Sequence, residues 1–363
     1  MKRSSGAAGD GKEIGCEQAD THGSFDAVAK ERRLQKDAAA WAAPSDSSTI
    51  PEATDDEIPV LDYAAFLRDP SDEEAVASLA SSLRMCCERV GFHLCTGHGV
   101  PDEMFRSIFD ATKSFMALSV EAKLSYEMDK GQAPAGSGYL PVCNFKLPKR
   151  VNGNLVESFV LKRELGPRNI NLDLMPWPEE LGPEWRRSVE EYARAMEDLA
   201  IRMLPVYSAA LGLRGTHFDD AFRSPLWRLR LSRYPSVASY GDQEFGIGPH
   251  VDTSFFTLLA QDGVPGLVVW ANSTQRWVRI PATPGALVVN TGEILRQITN
   301  DTWQAARHYA LNAGPEPRIS VPFFFNATAD YPLAVVPTCC SEEDPAKYPP
   351  TSYLSGQGVV QGE

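Results

Sequence analysis

From Trp227 to Phe325 the chain is a succession of short runs rich in Val, Leu, Ile and aromatic residues: WRLRLSRYP, FFTLLAQ, GLVVW, RWVRI, ALVVN and RISVPFFF. Gly, Pro, Asn and Ser separate them. Branched and aromatic side chains suit a pleated, half-buried surface, and the turn residues recur at intervals that fit an antiparallel sandwich or barrel. This texture constrains the fold more than any other feature of the sequence.

The N-terminal half reads differently. Residues 1–55 are rich in Gly, Ser, Ala, Asp and Lys and hold two aromatics, Phe25 and Trp41. Such a segment buries too little apolar surface to offset its ordering entropy, so a disordered extension is expected there. Within it SFDAVAKERRLQKDAAAWAA carries a helical pattern that a partner could order, and His22 reads as solvated. Order is expected from EIPVLDY, where Ile58 and Val60 suggest a short strand. Ser71 and Glu74 form a capping-box pattern ahead of a helix whose inner face is Val76, Leu79, Leu83, Cys86, Cys87 and Val90. GFHLCTGHGVP suggests a second strand and a tight turn, and a helix follows from Pro101 with Met104, Ile108 and Phe115 inward. A long helical pattern covers 182–211, with Pro205 as an expected kink. No internal repeat is visible. The layout is a supporting region over 56–180, a long helix plus the β-rich region over 181–355, and a tail over 356–363, forming one compact unit.

A chain of 363 residues can bury a large core, and 43% apolar with 23% charged residues is ordinary for a soluble protein. The net charge of −13 argues against a nucleic-acid or anionic-membrane partner, because binding phosphates needs a basic surface. No run approaches the ~18 apolar residues of a membrane span. The opening MKRSSGAAGDGKEIG lacks the apolar stretch of a secretory signal. The seven cysteines are odd in number and show no CxxC spacing, which fits reduced thiols in a cytoplasmic protein. Cys86 and Cys87 read as small core residues. The expected partner is a small molecule; oligomeric state is not legible, and a monomer is compatible with the sequence.

Six histidines permit a census. His217 lies in a loop pattern, RGTHFDD, without partners, and His93 and His98 bracket a turn, where a structural hydrogen-bonding role is the default. His250 and His308 remain. His250 and Asp252, in GPHVD, stand at i and i+2, positions that share one face of a strand. H-x-D alone arises often by chance. With His308, in TWQAARHYALN, it makes two imidazoles and a carboxylate. That is the facial triad of non-haem Fe(II) oxygenases, which leaves positions open for oxygen and an organic co-substrate. Zinc accepts the same ligands, so the triad leaves the metal open. Arg318 and Ser320 in RISVPFFF are again at i and i+2. An inward guanidinium among Val, Phe and Ile calls for an anion, and arginine captures a carboxylate bidentately. A strand-end arginine paired with one of the many acidic residues is the other reading.

Taken in order, IPVLDY, GFHLCTGHGVP, LRLSRYP, GPHVDTSFFTLLAQD, VVNTGEILRQITN, RHYALN and RISVPFFF resemble the isopenicillin N synthase-like branch of the 2-oxoglutarate/Fe(II)-dependent oxygenases, over roughly residues 57–355. The resemblance implies a mainly β fold with flanking helices, a double-stranded β-helix (jelly roll) behind a helix-rich N-terminal region. It implies His250, Asp252 and His308 as iron ligands and Arg318 with Ser320 as the pair that grips the distal carboxylate of 2-oxoglutarate. Tyr234 matches the tyrosine that hydrogen-bonds the co-substrate, and His98 matches a histidine without a metal role. The chain departs from the family pattern at Ser232-Arg233-Tyr234-Pro235, where Asn-Tyr-Tyr-Pro is common. It departs again at His308-Tyr309-Ala310, for His-Arg-Val, and at Gly292-Glu293, for Gly-Asp. Asp252 counts against a halogenase, which lacks that carboxylate.

The implied activity is hydroxylation, desaturation or cyclisation of a small organic substrate of specialised metabolism. It is coupled to O2-dependent decarboxylation of 2-oxoglutarate to succinate and CO2, with no catalytic side chain beyond the metal centre. An iron oxidase of the same fold that does not consume 2-oxoglutarate, like isopenicillin N synthase or aminocyclopropanecarboxylate oxidase, remains open. So does a non-catalytic jelly-roll binding protein. Tyr139, Phe145, Arg230 and Phe324 are placed by position as pocket walls. Arg230 could meet an acidic substrate or pair with a structural carboxylate.

Overall fold

The computed structural model describes residues 43–128, 136–143, 153–163, 175–241, 244–350 and 352. Phe145, His22, Cys16 and the helical pattern over 24–42 lie outside the described residues. Two sheets face each other. The larger runs β1 (Val60–Asp62), β2 (Phe92–Thr96), β10 (Leu287–Thr291), β7 (Phe256–Gln261), β12 (Arg318–Asn326), β5 (Leu226–Tyr234), β4 (Glu157–Arg163) and β3 (Gly138–Leu140) from edge to edge. The smaller runs β6 (Ile247–His250), β11 (His308–Ala310), β8 (Leu267–Ala271) and β9 (Arg276–Arg279). Apart from the parallel β1–β2 pair, the strand pairs are antiparallel. This is the expected jelly roll. The N-terminal half does more than support it: β1 to β4 complete the larger sheet at both edges.

Alternation along the strands divides the molecule. Leu229, Leu231, Leu258, Ala260, Ile319, Val321, Phe323 and Phe325 turn outward and pack with the helices in the largest core. Those helices are α1 (Ala64–Arg68), α2 (Glu73–Arg89), α3 (Asp102–Met116), α4 (Val120–Ser125), α5 (Gly182–Ala210) and α6 (Glu293–Ile298). Between the sheets a second core joins Phe92, Leu94, Leu259 and Val288 to Leu267, Val269, Ala271 and Val278. The inner face of α2 is the expected one. Its cap is not: Asp72 accepts from the backbone N–H of Glu74 and Ala75, while Ser71 Oγ donates to Asp69. A carboxylate at the N-cap also meets the positive end of the helix. The helix α5 continues through Pro205.

Ordered structure also begins earlier than the composition suggested. Ala43 and Ile50 are buried with Trp270, Trp277 and Tyr309, and the Tyr309 hydroxyl donates to the Pro44 carbonyl at 2.8 Å. Ala53 N–H donates to the Arg279 carbonyl, and Arg279 N–H to that of Pro51, so the segment adds to the edge of the smaller sheet. Its few apolar residues find a core because the jelly roll supplies the aromatic side.

Candidate metal centre

His250 ends β6 and His308 begins β11, and the two are direct cross-strand partners, which brings their rings to 4.2 Å between centroids. Asp252 does not share their strand. It lies in the connection after β6, and its convergence comes from the turn rather than from the pleat. Asp252 Oδ1 stands 3.6 Å from His250 Nε2 and 3.5 Å from His308 Nε2. The three ligand atoms lie within 4.8 Å of one another and could hold a metal ion.

The surroundings fix which atoms are free to do so. His250 Nδ1 is 2.8 Å from the Gly248 carbonyl and His308 Nδ1 is 3.1 Å from that of Ala306. Each ring therefore donates through Nδ1–H and turns the lone pair of Nε2 toward the centre. Asp252 Oδ2 accepts from Thr257 Oγ1 at 2.7 Å and Asn290 Nδ2 at 2.8 Å, which leaves Oδ1 for a cation. Thr257 and Asn290 are themselves cross-strand partners on β7 and β10. The Asp252 backbone is pinned as well, because its carbonyl accepts from Glu293 N–H at 2.8 Å. At the neighbouring Gly292 a Cβ would stand 1.8 Å from the Ser254 carbonyl oxygen, so the two connections approach as closely as glycine permits.

Charge follows this geometry. Burial pushes His250 down to about 4, and the neighbouring His308 adds to the fall. Burial opposes the charged form of His308, yet Asp252 beside it outweighs burial and raises its pKa. Burial alone would raise Asp252; the charges and hydrogen bonds of its neighbours, His308 first, hold it well below the usual carboxylate range. The carboxylate of Asp252 thus sets the charge balance of the centre, favouring a positive partner at His308. A dication would satisfy the same carboxylate through the three ligand atoms, and the donor set of two imidazoles and a carboxylate fits ferrous iron.

Arg318 is 1% exposed at the start of β12. Its Nε donates to the Val264 carbonyl at 3.2 Å and its Nη2 to Gln261 Oε1 at 2.9 Å, while Nη1 is buried without a partner. The Tyr234 ring lies 5.0 Å from the guanidinium carbon. Ser320 follows on the same face, opposite Ser232 and Gln261. A Cβ at Gly266 would meet the Leu311 carbonyl oxygen at 2.1 Å and Arg318 Cδ at 2.9 Å, so that glycine makes room for the arginine. The orphan Nη1 fits a carboxylate, and no acidic side chain pairs with Arg318 among the described residues.

His93 and His98 have structural roles. His93 is buried against Tyr63 Oη at 3.1 Å, with burial pushing it down to about 3. His98 bridges the Gly285 carbonyl and Val100 N–H. The departures also find explanations. Arg233 leaves the opposite face of β5 to pair with Glu157 at 2.6 Å, so it does not enter the centre. Tyr309 serves the N-terminal segment, and Glu293 pairs with Arg296. Tyr139, expected as a pocket wall, belongs to the helix-side core, with its hydroxyl on Glu157. Thr257 and Asn290 had no role in the sequence reading. Their signal was a polar residue at an inward position of an aliphatic run.

A model of the 2OG-Fe(II) oxygenase superfamily matches residues 227–327, and one described as non-haem dioxygenase in morphine synthesis N-terminal matches residues 58–180. The chain is 32% identical over 315 residues to the 2-oxoglutarate-Fe(II) type oxidoreductase hxnY of Emericella nidulans, covering 84% of this chain and 88% of that protein. It is 30% identical over 285 residues to the 2-oxoglutarate-dependent dioxygenase tropC of Talaromyces stipitatus, covering 75% and 87%. Its fold is similar to that of the dioxygenase for auxin oxidation in rice, with a TM-score of 0.66 at 26% identity over 83% of this chain and 94% of that one. With the ligand geometry and two jelly-roll sheets in place, these likenesses identify the chain as a member of the 2-oxoglutarate/Fe(II)-dependent oxygenase superfamily.

Proposed function

We propose that His250, Asp252 and His308 hold the ferrous ion, that Arg318 and Ser320 receive the distal carboxylate of 2-oxoglutarate, and that Tyr234 backs this subsite. The substrate is a small organic molecule of specialised metabolism, which the enzyme hydroxylates, desaturates or cyclises in the cytoplasm. The observation that carries the reading is the pairing of two unfilled valences. Three anchored ligand atoms face one point, and the buried Arg318 Nη1 lacks an acceptor.

Iron bound at the triad supplies the redox chemistry that couples O2 and 2-oxoglutarate to substrate oxidation. The chain's own part is positioning. Thr257 and Asn290 keep Asp252 Oδ1 directed at the metal. Gln261 and the Val264 carbonyl hold the Arg318 fork so that Nη1 is presented to a carboxylate, and Ser320 can donate one pleat along. The apolar walls, Phe92 against His308 among them, keep water from the site.

Anaerobic Fe(II) binding and succinate release test this. The expected outcome is iron uptake by the wild type, its loss in His308→Ala, and 2-oxoglutarate-dependent succinate on admitting O2 with substrate. Substrate-dependent O2 uptake without succinate would reassign the chain to the oxidases that do not consume 2-oxoglutarate. A wild type that binds no iron and behaves like His308→Ala would make it a binding protein.

A further inference from the structure

The inner face of β5 carries a second cationic group that the metal and 2-oxoglutarate leave unexplained. Trp227, Leu229 and Leu231 turn to the helices, so Arg228, Arg230, Ser232 and Tyr234 line the opposite face. Tyr234 stands beside Arg318, and the two arginines occupy the other end of the row. Thr257, Phe324 and Arg228 are successive Cα partners across β7, β12 and β5. Thr257 is the residue whose hydroxyl holds Asp252. Two strand spacings separate it from Arg228, roughly 10 Å, about the length of a small ring with a side chain.

These arginines lack what the others on the same strands possess. Arg163 and Arg233, on the helix side of β4 and β5, pair with Glu197 and Glu157. Arg228 and Arg230 pair with no carboxylate among the described residues. Arg228 Nε is buried without a hydrogen-bond partner. Arg230 Nε donates to the neutral Ser158 hydroxyl at 2.8 Å. Burial lowers the pKa of Arg230 and the charge of Arg228 adds to it, with Tyr234 and Asp252 acting the other way. Asp252 is already engaged by its histidines, Thr257 and Asn290. Both side chains are half-buried, and two like charges side by side with few partners destabilise a fold unless an anion joins them.

We propose that Arg228 and Arg230 form a carboxylate clamp for the molecule being oxidised, which is therefore a small organic acid whose apolar body lies along Phe324 toward the metal ligands. Guanidinium forks match a carboxylate bidentately, and the half-buried Phe324 between Arg228 and Thr257 offers the body a ring to lie on. The clamp and the Arg318 subsite sit at opposite ends of β5, so substrate and co-substrate would be sorted by which end their carboxylates reach. The inference rests on the oxygenase reading above.

The test uses full-length protein loaded with Fe(II) and saturating 2-oxoglutarate under nitrogen, titrated with benzoate, benzamide and phenyl phosphate. Benzoate is expected to bind at least ~10-fold more tightly than benzamide, as loss of a charge-assisted contact predicts, and the difference should vanish in the Arg228→Met/Arg230→Met double variant. Loaded protein that binds benzoate and benzamide equally overturns the clamp and leaves the oxygenase reading standing. Tighter binding of phenyl phosphate overturns the carboxylate assignment. Protein that takes up neither Fe(II) nor 2-oxoglutarate removes the oxygenase reading and the clamp with it. Arg228→Met alone gives a readout that a structural arginine would not. Without ligand its Tm should rise by about 2–4 °C, because a half-buried guanidinium with an orphaned Nε and a like charge two residues away is gone; a fall contradicts the clamp.

Discussion

Leu229, Leu231, Ile319, Val321, Phe323 and Phe325 leave β5 and β12 on the helix side, and all are buried hydrocarbon. Between them, on the other face of the same two strands, stand Arg228, Arg230, Ser232, Tyr234, Arg318 and Ser320. One backbone thus serves two purposes with a period of two. The helix-side residues contribute free energy by leaving water. The inner ones oppose folding until something binds, since orphaned guanidinium atoms occur at both ends of the inner row. Holding polar groups ready for ligands requires a stiff support, and the aromatic packing behind the sheet, with Phe222 and Phe325 stacked at 4.9 Å, provides it.

Substitutions on the two sides should separate these purposes. The largest effect is expected from His308→Ala, which removes one of three ligands. Iron retention and succinate release should both be lost, while circular dichroism shows the fold retained. Leu231→Ala makes the opposite change. Truncating this fully buried side chain should cost about 2–5 kcal/mol of stability by denaturant unfolding, with specific activity of the folded fraction unchanged. If Leu231→Ala impaired turnover at low temperature as strongly as His308→Ala, the division between the two faces would be wrong.

The same division explains what could be read in advance. The strands were legible because β-branched and aromatic runs recur between turn residues, and the inner face of α2 because its apolar residues follow the helical period. His250, His308 and Arg318 were legible as rare residue types in such runs. Less was visible wherever a partner lies far along the chain. Ala43 and Ile50 look like linker until Trp277 and Tyr309 cover them. Asp72 competes with Ser71 for the cap, and only local geometry decides. Position alone placed Tyr139 at the pocket, but its strand register with Phe159 puts it on the helix side. Whether Arg230 had a carboxylate partner could not be read from the sequence; among the described residues it has none.

A middle-sized effect should come from Asn290→Ala, which deletes one of two donors to Asp252 Oδ2 while keeping every ligand. Loss of such an outer contact typically weakens metal binding about 10–100-fold. Fe(II) titration should show that loss, with turnover restored at saturating iron. Recovery separates a group that orients a ligand from one that supplies a ligand atom, since His308→Ala should not recover. A variant that stays inactive at saturating iron would place Asn290 closer to the reacting atoms than its geometry indicates.

The smallest effect is in pH, and its sign follows from the triad. His308 has a raised pKa in the metal-free protein because Asp252 lies beside it. Its proton therefore stabilises the metal-free fold below the unfolded value of ~6.5, and that contribution fades as pH rises through the raised folded pKa. Metal binding runs the other way, because the proton must leave His308 Nε2 first. His250, pushed down to about 4, is already neutral through this range, and Asp252 is ionised. A single proton is therefore exchanged, and metal affinity should fall by about tenfold per pH unit below the His308 pKa and level off above it. Thermal unfolding with and without a redox-stable divalent ion such as Mn(II) would show the metal-induced Tm increment growing as pH rises. In Asn290→Ala, where Asp252 loses a hydrogen bond that steadies its charge, the same curve should keep its slope and shift downward. A slope of two protons would mean that His250 shares the titration, and the division of roles between the two histidines would have to be redrawn.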